Sequence, residues 1–311
     1  MRAVLSETYG ALPEVRDIPE PSPDAGEVKI RVRASSLNGF DAKVAAGFLK
    51  GAMEHQFPVV LGRDFAGTIT EVGSGVSQFM PGEEVFGVVA KPMLGDGSFA
   101  EYVSVPQEIG LAPLPAGLDY REAGVLGLAG CTAIDALDAV RLEHAETILI
   151  CGATGGVGSY AVQLAAAREA TVIATATPGE AARQMHLLGA AHTVDYRGDI
   201  IGQVRSLAPA GVDAVLHLAG DPAALVTLLA PGGRMASTLN ADPALAEGRD
   251  ITVVNVTAIP DRAVLDWLAT ETIAGRLVTP ISHTYHLDEV PQAIADFDRP
   301  GTLGKFAVTI E

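Results

Sequence analysis

The residues best suited to chemistry by type and spacing are the glycines at 152, 155, 156 and 158, within GATGGVG. Glycine lets a backbone turn tightly and come close to a ligand, and a helix that starts there offers free N–H groups to a pyrophosphate. The spacing is GxxGGxG rather than GxGxxG, so its meaning depends on what flanks it. Before the turn, Thr147, Ile148, Leu149, Ile150 and Cys151 read as a buried parallel strand. After it, Val157, Ala161, Val162, Leu164 and Ala165 recur at helical spacing. Strand, glycine turn and helix predict a dinucleotide site on Gly152, Ala153, Thr154, Gly155, Gly156, Val157 and Gly158. A plain structural turn is the competing reading.

Such a turn needs a sheet around it. Residues 171–176 read as a second strand, and residues 180–188 as its helix, stopped by Gly189. Further strands are expected at 192–196, 212–218, 233–237 and 251–256, interleaved with helical patterns, which is the signature of a doubly wound parallel sheet. Loop Leu218-Ala219-Gly220 then falls at the crevice where such sheets bind ligands, making Ala219 and Gly220 candidate cofactor contacts. An NAD site usually carries a carboxylate at the end of the second strand for the ribose hydroxyls. Here that end reads Thr175, Ala176, Thr177, Pro178, with no acid to repel a 2′-phosphate. NADPH is therefore expected over NADH, with Thr175 and Thr177 beside it.

The first 119 residues are patterned differently. Residues 1–5 and 28–34 read as strands around the proline-rich EPSPDAGE, and residues 35–47, 57–88 and 97–106 as short strands between glycine turns. That spacing suits a compact antiparallel barrel. From Pro113 and Pro115 onward the pattern turns helical, which places a domain boundary near residue 119.

Composition narrows the partners. The 38 acidic against 21 basic side chains give a formal charge of −17, which disfavours nucleic acid or an anionic membrane as partner. The only cysteines, Cys131 and Cys151, sit in apolar surroundings and suggest a reducing compartment. Residues 1–10 lack the apolar core of a signal peptide, and no uncharged apolar run is long enough to span a membrane. A cytoplasmic protein is expected.

Six motifs, in order along nearly the whole chain, carry a resemblance: LGRDFAGTITEVGSGV (61–76), PGEEVFG (81–87), FAEYV (99–103), GCTA (130–133), GATGGVGSYAVQLA (152–165) and GKFAV (304–308). In these the chain resembles the zinc-independent medium-chain dehydrogenase/reductases of the quinone oxidoreductase and enone reductase group. The resemblance implies an α/β fold: a Rossmann-like doubly wound parallel sheet plus a GroES-like antiparallel β-barrel catalytic domain. The catalytic domain would take residues 1–119, the cofactor domain 120–257, and a return to the catalytic domain 258–311. It further implies a homodimer that reduces quinones or α,β-unsaturated carbonyls (enones and alkenals) with NADPH, by direct hydride transfer. A non-catalytic NADPH-binding sensor or structural protein of the same fold is the alternative.

Residue by residue, NGFDAKVAAG resembles the family's N-x-x-D-x-K stretch. This implies Asn38 beside the nicotinamide or the substrate oxygen, Asp41 shaping the pocket, and Lys43 stabilising an oxyanion or relaying a proton. Some quinone reductases of the group have Tyr at the position of Lys43, which tilts the expectation towards enones. The plainer readings are a turn former, a cap and a solvent-facing charge. Thr132 of GCTA is implied at a helix start near the nicotinamide, with an ordinary helix-start hydroxyl as its plainer reading. The family's phosphate-binding lysine aligns with Ala181, while its tyrosine is matched by Tyr196; Arg183 or Arg197 would replace the lysine, unless both simply lie on a solvated face. Asp64 and Lys305 are expected to be structural, with Arg63 paired to Asp64. Where the wider superfamily has its first zinc ligand, this chain has Leu37-Asn38-Gly39-Phe40-Asp41, and its histidines are scattered, so no metal is expected.

Overall fold

Alternation near the N-terminus becomes β1 (Arg2–Ser6), which pairs antiparallel with β2 (Glu14–Asp17). The long strand β3 (Glu27–Leu37) leads directly into a helix, α1 (Gly39–Ala45). Five strands follow: β4 (Val59–Val60), β5 (Asp64–Val72), β6 (Glu84–Val88), β7 (Tyr102–Pro106) and β8 (Leu111–Pro113). Helices α2 (Tyr120–Ala123) and α3 (Gly127–Ala139) come next. The computed structural model describes residues 1–297, 299 and 301–311.

Beyond α3 the chain alternates strand and helix. The order is β9 (Thr147–Cys151), α4 (Gly156–Ala167), β10 (Thr171–Thr175), α5 (Glu180–Leu187), β11 (His192–Val194) and α6 (Ile200–Leu207). Then come β12 (Val212–His217), α7 (Pro222–Leu225), β13 (Leu229–Ser237) and β14 (Ile251–Asn255). The last elements are α8 (Arg262–Ile273), β15 (Ile281–His286), α9 (Val290–Phe297) and β16 (Lys305–Thr309).

Contacts divide the chain into two units. Met1–Cys131 with Pro260–Glu311 form one, and Thr132–Ile259 the other. The division falls inside α3, not near residue 119. The reason is local: the first turn of α3 is tied to β5 by Leu128 N–H, which donates to Asp64 Oδ1 at 2.6 Å.

The first unit holds a three-stranded sheet, β2-β1-β4, and a seven-stranded one, β15-β16-β3-β5-β6-β8, with β7 also on β3. Pairing is antiparallel, as expected of a barrel, except that β15 and β16 run parallel. Helix α9 lies between them in sequence and supplies the crossover that a parallel pair requires. The core gathers Val28, Ile30, Leu37, Phe65, Phe99 and Phe306, each burial contributing about 1.5–3 kcal/mol. Helix α1 was not expected, because residues 35–47 read as strand and turn. At seven residues it is too short to display a helical period, and a cap starts it: the Asp41 carboxylate accepts Asn38 N–H at 2.8 Å.

The second unit is a six-stranded parallel sheet in the order β11-β10-β9-β12-β13-β14, the doubly wound arrangement that the alternating pattern predicts. Its core is Leu149, Ile173, Val194, Val215 and Met235. Chain order reverses between β9 and β12, so the carboxyl ends of these two strands border the ligand crevice.

Candidate functional site

The glycine turn stands at that switch point. Gly152 has φ +84°, the left-handed region, and its N–H donates to Thr175 Oγ1 at 2.9 Å. A Cβ on Gly158 would come within 2.3 Å of Gly152 O and 2.5 Å of the Ala153 Cα, so only glycine allows α4 to start this close to β9. Gly155 is the N-cap of α4, and the first-turn N–H groups, those of Gly156 and Val157 among them, have no intrahelical acceptor. Ala153 is buried, while Thr154, Gly155, Gly156 and Val157 remain partly accessible. Such a backbone cradle fits a pyrophosphate. Beneath it lies Cys151, whose thiol burial pushes up to about 12, leaving it protonated and inert.

Two neighbours brace the turn. Thr175 is buried, and its hydroxyl is committed to Gly152 N–H and Ile150 O, so it holds the turn's shape rather than reaching outward. Across the switch point, a Cβ on Gly152 would meet Leu218 Cβ at 3.1 Å, which sets the loop 218–220 against the turn. Buried His217, which the sequence pattern does not single out, shapes this loop. Its Nε2 lies 3.1 Å from Gly220 O and its Nδ1 2.9 Å from Ser237 Oγ. A carbonyl only accepts, so Nε2 carries the proton and Ser237 donates to Nδ1. Ala219 and Gly220 stay exposed at the crevice rim.

At the far end of β10, the two arginines differ. Arg197 is clamped to Asp195, Nε to Oδ1 at 3.0 Å and Nη2 to Oδ2 at 2.9 Å, and so is withdrawn as a phosphate ligand. Arg183, exposed on α5, makes no ion pair or side-chain hydrogen bond among the described residues. Thr177 is half-buried at the strand end, Tyr196 is exposed, and Ala181 at the usual lysine position is buried.

In the first unit, the stretch from Asn38 to Lys43 is organised by residues far away in sequence. The ends of β3, β5 and β16 meet there, and Lys305 Nζ donates three times: to Asn38 Oδ1 at 2.6 Å, to Leu37 O at 3.2 Å and to Asp64 Oδ2 at 3.2 Å. Asp64 Oδ2 also accepts from Ser36 Oγ and from Asn38 Nδ2, the latter at 2.9 Å. An ammonium has no acceptor, so Asn38 must face Lys305 with its oxygen and Asp64 with its nitrogen. Asp64, Lys305 and Asn38 are 0%, 2% and 8% exposed.

This arrangement corrects several expectations. Arg63 does not pair with Asp64; it is buried, donates to Val89 O at 2.9 Å and lies 4.9 Å from the ring centroid of Phe40. Asp64 and Lys305 do more than fill the barrel, because they fix the amide of Asn38. That amide is committed internally, with Nδ2 also directed at Ser36 O, so its N–H groups are not available to a substrate oxygen. Asp41 is buried behind its capping bond. Loss of hydration pushes its carboxyl up to about 7, against the pull of Asn38 N–H and the Arg63 guanidinium. Of the three candidates, Lys43 alone keeps its side-chain polar group uncommitted: it is half-buried and its ammonium makes no hydrogen bond or ion pair among the described residues.

Comparison with known proteins gives this geometry its family. Residues 24–116 match the family model described as "Alcohol dehydrogenase GroES-like domain", and residues 188–308 that described as "Zinc-binding dehydrogenase". The chain is 36% identical over 239 residues to the chloroplast envelope quinone oxidoreductase homolog of Arabidopsis thaliana, covering 70% of this chain and 68% of that one. It belongs to the medium-chain dehydrogenase/reductase superfamily. The quinone oxidoreductase structure from Coxiella burnetii superposes with a TM-score of 0.90 at 26% identity, over 100% of this chain and 99% of that one. The NADPH-dependent alkenal/one oxidoreductase of Arabidopsis thaliana chloroplasts is 31% identical over 249 residues, covering 78% of this chain and 63% of that one.

The superfamily consists of oxidoreductases that use nicotinamide cofactors, and its Rossmann-like and GroES-like parts correspond to the parallel sheet and the antiparallel unit described above. Thr132, expected at a helix start, lies in the second turn of α3 instead, because Gly127 rather than the GCTA motif opens the helix. Among the described residues, no three His, Cys, Asp or Glu side chains gather as a metal-binding group, and no helix is long and apolar enough to cross a membrane.

Proposed function

We propose that this protein is an NADPH-dependent oxidoreductase that reduces α,β-unsaturated carbonyls or quinones by direct hydride transfer, without a metal. One observation carries the reading. In a strongly acidic chain, 11 of whose 21 Lys and Arg side chains form ion pairs among the described residues, Lys43 and Arg183 belong to the ten that do not, and they stand at the two places where charge must be met. Arg183 follows an acid-free strand end, the setting a 2′-phosphate requires. The name of the alkenal/one relative points the same way.

Bound NADPH would supply the hydride. The chain's own part is to hold the pyrophosphate on the turn from Gly152 to Gly158, with Thr132, Thr177, Tyr196, Ala219 and Gly220 as further contacts. Its other part is to meet the charge that develops on the substrate. Two electrons arriving at the β-carbon of an enone appear as negative charge on the carbonyl oxygen. The ammonium of Lys43 is suited to stabilise that oxyanion, and a proton from solvent at the α-carbon completes the reduction. The buried cysteines fit a cytoplasmic protein, and twofold dimers are the commonest soluble assemblies, so a cytoplasmic homodimer completes the proposal.

The test is NADPH oxidation by the purified protein with a panel of small alkenals, cyclic enones and quinones, with and without a chelator. Turnover unaffected by chelator is expected. Tight NADPH binding without turnover on any substrate would replace the enzyme by a sensor or structural protein. Loss of activity on chelation would overturn the metal-free step.

A further inference from the structure

We propose that the buried Lys305–Asp64 pair is a positioning device that aims α1, and that Asn38 belongs to this device instead of touching substrate. The inference rests on the reading of Lys43 as the group that meets substrate charge. Stability alone does not account for such a pair, since desolvating two charges offsets most of their attraction, and apolar replacements of similar volume are often as stable. Direction is what the pair adds. Asp64 accepts from Ser36 and Asn38 at the end of β3, from Lys305 at the start of β16 and from Leu128 in the first turn of α3. All three ammonium hydrogens of Lys305 are used, one on the amide oxygen of Asn38. Asn38 is the N-cap of α1, and Asp41 accepts its backbone N–H. A seven-residue helix has little stability of its own. Where α1 points is therefore set by its first turn, and Lys43 follows one turn later.

Lys305→Met leaves the Asp64 charge buried without its partner and lowers the folding equilibrium constant roughly 10²–10³-fold. Asp64→Asn does the same to Lys305. The double variant D64N/K305M carries neither charge and recovers most of that loss. The device predicts that the double variant, though folded and binding NADPH as before, still has a kcat about 10²-fold lower. It also predicts amide hydrogen exchange about 10-fold or more faster across residues 39–45, with protection kept in the rest of the first unit. Recovery of stability, kcat and α1 protection together would overturn the proposal and make the pair structural only. If the wild-type chain turns over no substrate, the reading of the reaction fails. The exchange measurement then decides the positioning role by itself.

Discussion

The glycine turn of the second unit and the ionic cluster of the first solve opposite problems. In the turn, backbone donors of α4 are left without intrahelical acceptors, and glycine gives the chain room to expose them. In the cluster every donor finds an acceptor within 3.4 Å, and Asp64 and Lys305 are all but sealed from solvent. Unsatisfied groups invite a ligand; saturated ones hold something still. This distinction separates contact residues from positioning residues more sharply than residue type does. Asn38, the most promising polar side chain by motif, falls on the saturated side, and Lys43, five residues on, on the open side.

The sharpest break in that comparison is Asp41, a buried group of the first unit that still titrates. Its carboxyl is raised from an ordinary 3.8 to about 7 in the folded chain. Below about pH 4 it is protonated in both states and costs nothing. As pH rises through the window from about 4 to 7, the unfolded chain ionises first, so stability falls, and above about 7 the full cost is present. A tenfold change in proton affinity is worth about 1.4 kcal/mol, so the cost amounts to roughly 4 kcal/mol. Asp41→Asn keeps an oxygen for Asn38 N–H and removes the charge. Urea unfolding at pH 4, 5.5 and 8 should show the variant gaining on the wild-type chain with each step. Equal pH profiles would mean that Asp41 is hydrated and its capping bond an ordinary surface one.

Lys43 tests the open side. Lys43→Met keeps the length and apolar stem of the side chain and deletes the charge. We expect kcat with an enone to fall roughly 10²–10³-fold, the usual effect of losing a group that stabilises a developing oxyanion. Dissociation of NADPH and thermal stability should not change, because the Lys43 side chain has no partner to lose among the described residues. A change in KM with kcat intact would make Lys43 a binding group only.

How much of this was legible before the structure depends on sequence distance. The parallel sheet and the glycine turn are local patterns, with strand, turn and helix adjacent along the chain, so composition and period suffice. The cluster is not local: Lys305 and Asp64 stand 241 residues apart, and their meeting follows from β16 joining β3 beside β5. The stretch at 38–43 is singled out by resemblance, but the partners that hold Asn38 lie far from it in sequence. Whether an amide is free or spent is a property of its partners. For the same reason Arg183 and Arg197 looked equivalent in sequence. Only Asp195, two residues before Arg197 and able to fold back on it, distinguishes them.

That last pair gives the mildest test, within the second unit alone. If an unpartnered guanidinium marks a ligand contact, Arg183→Gln should weaken NADPH binding by roughly 10–100-fold, the value of one charge-assisted hydrogen-bonding contact. NADH lacks the 2′-phosphate, so its affinity should hold and the preference between the two cofactors narrow by the same factor. Arg197→Gln should leave both affinities alone, since its exposed guanidinium is already committed to the Asp195 carboxylate. Titration of both cofactors against the two variants by calorimetry reads all four constants. The opposite result, with Arg197 governing selectivity, would mean that the Asp195 pair opens when the phosphate arrives. Readiness to bind would then lie in how cheaply a partner is released.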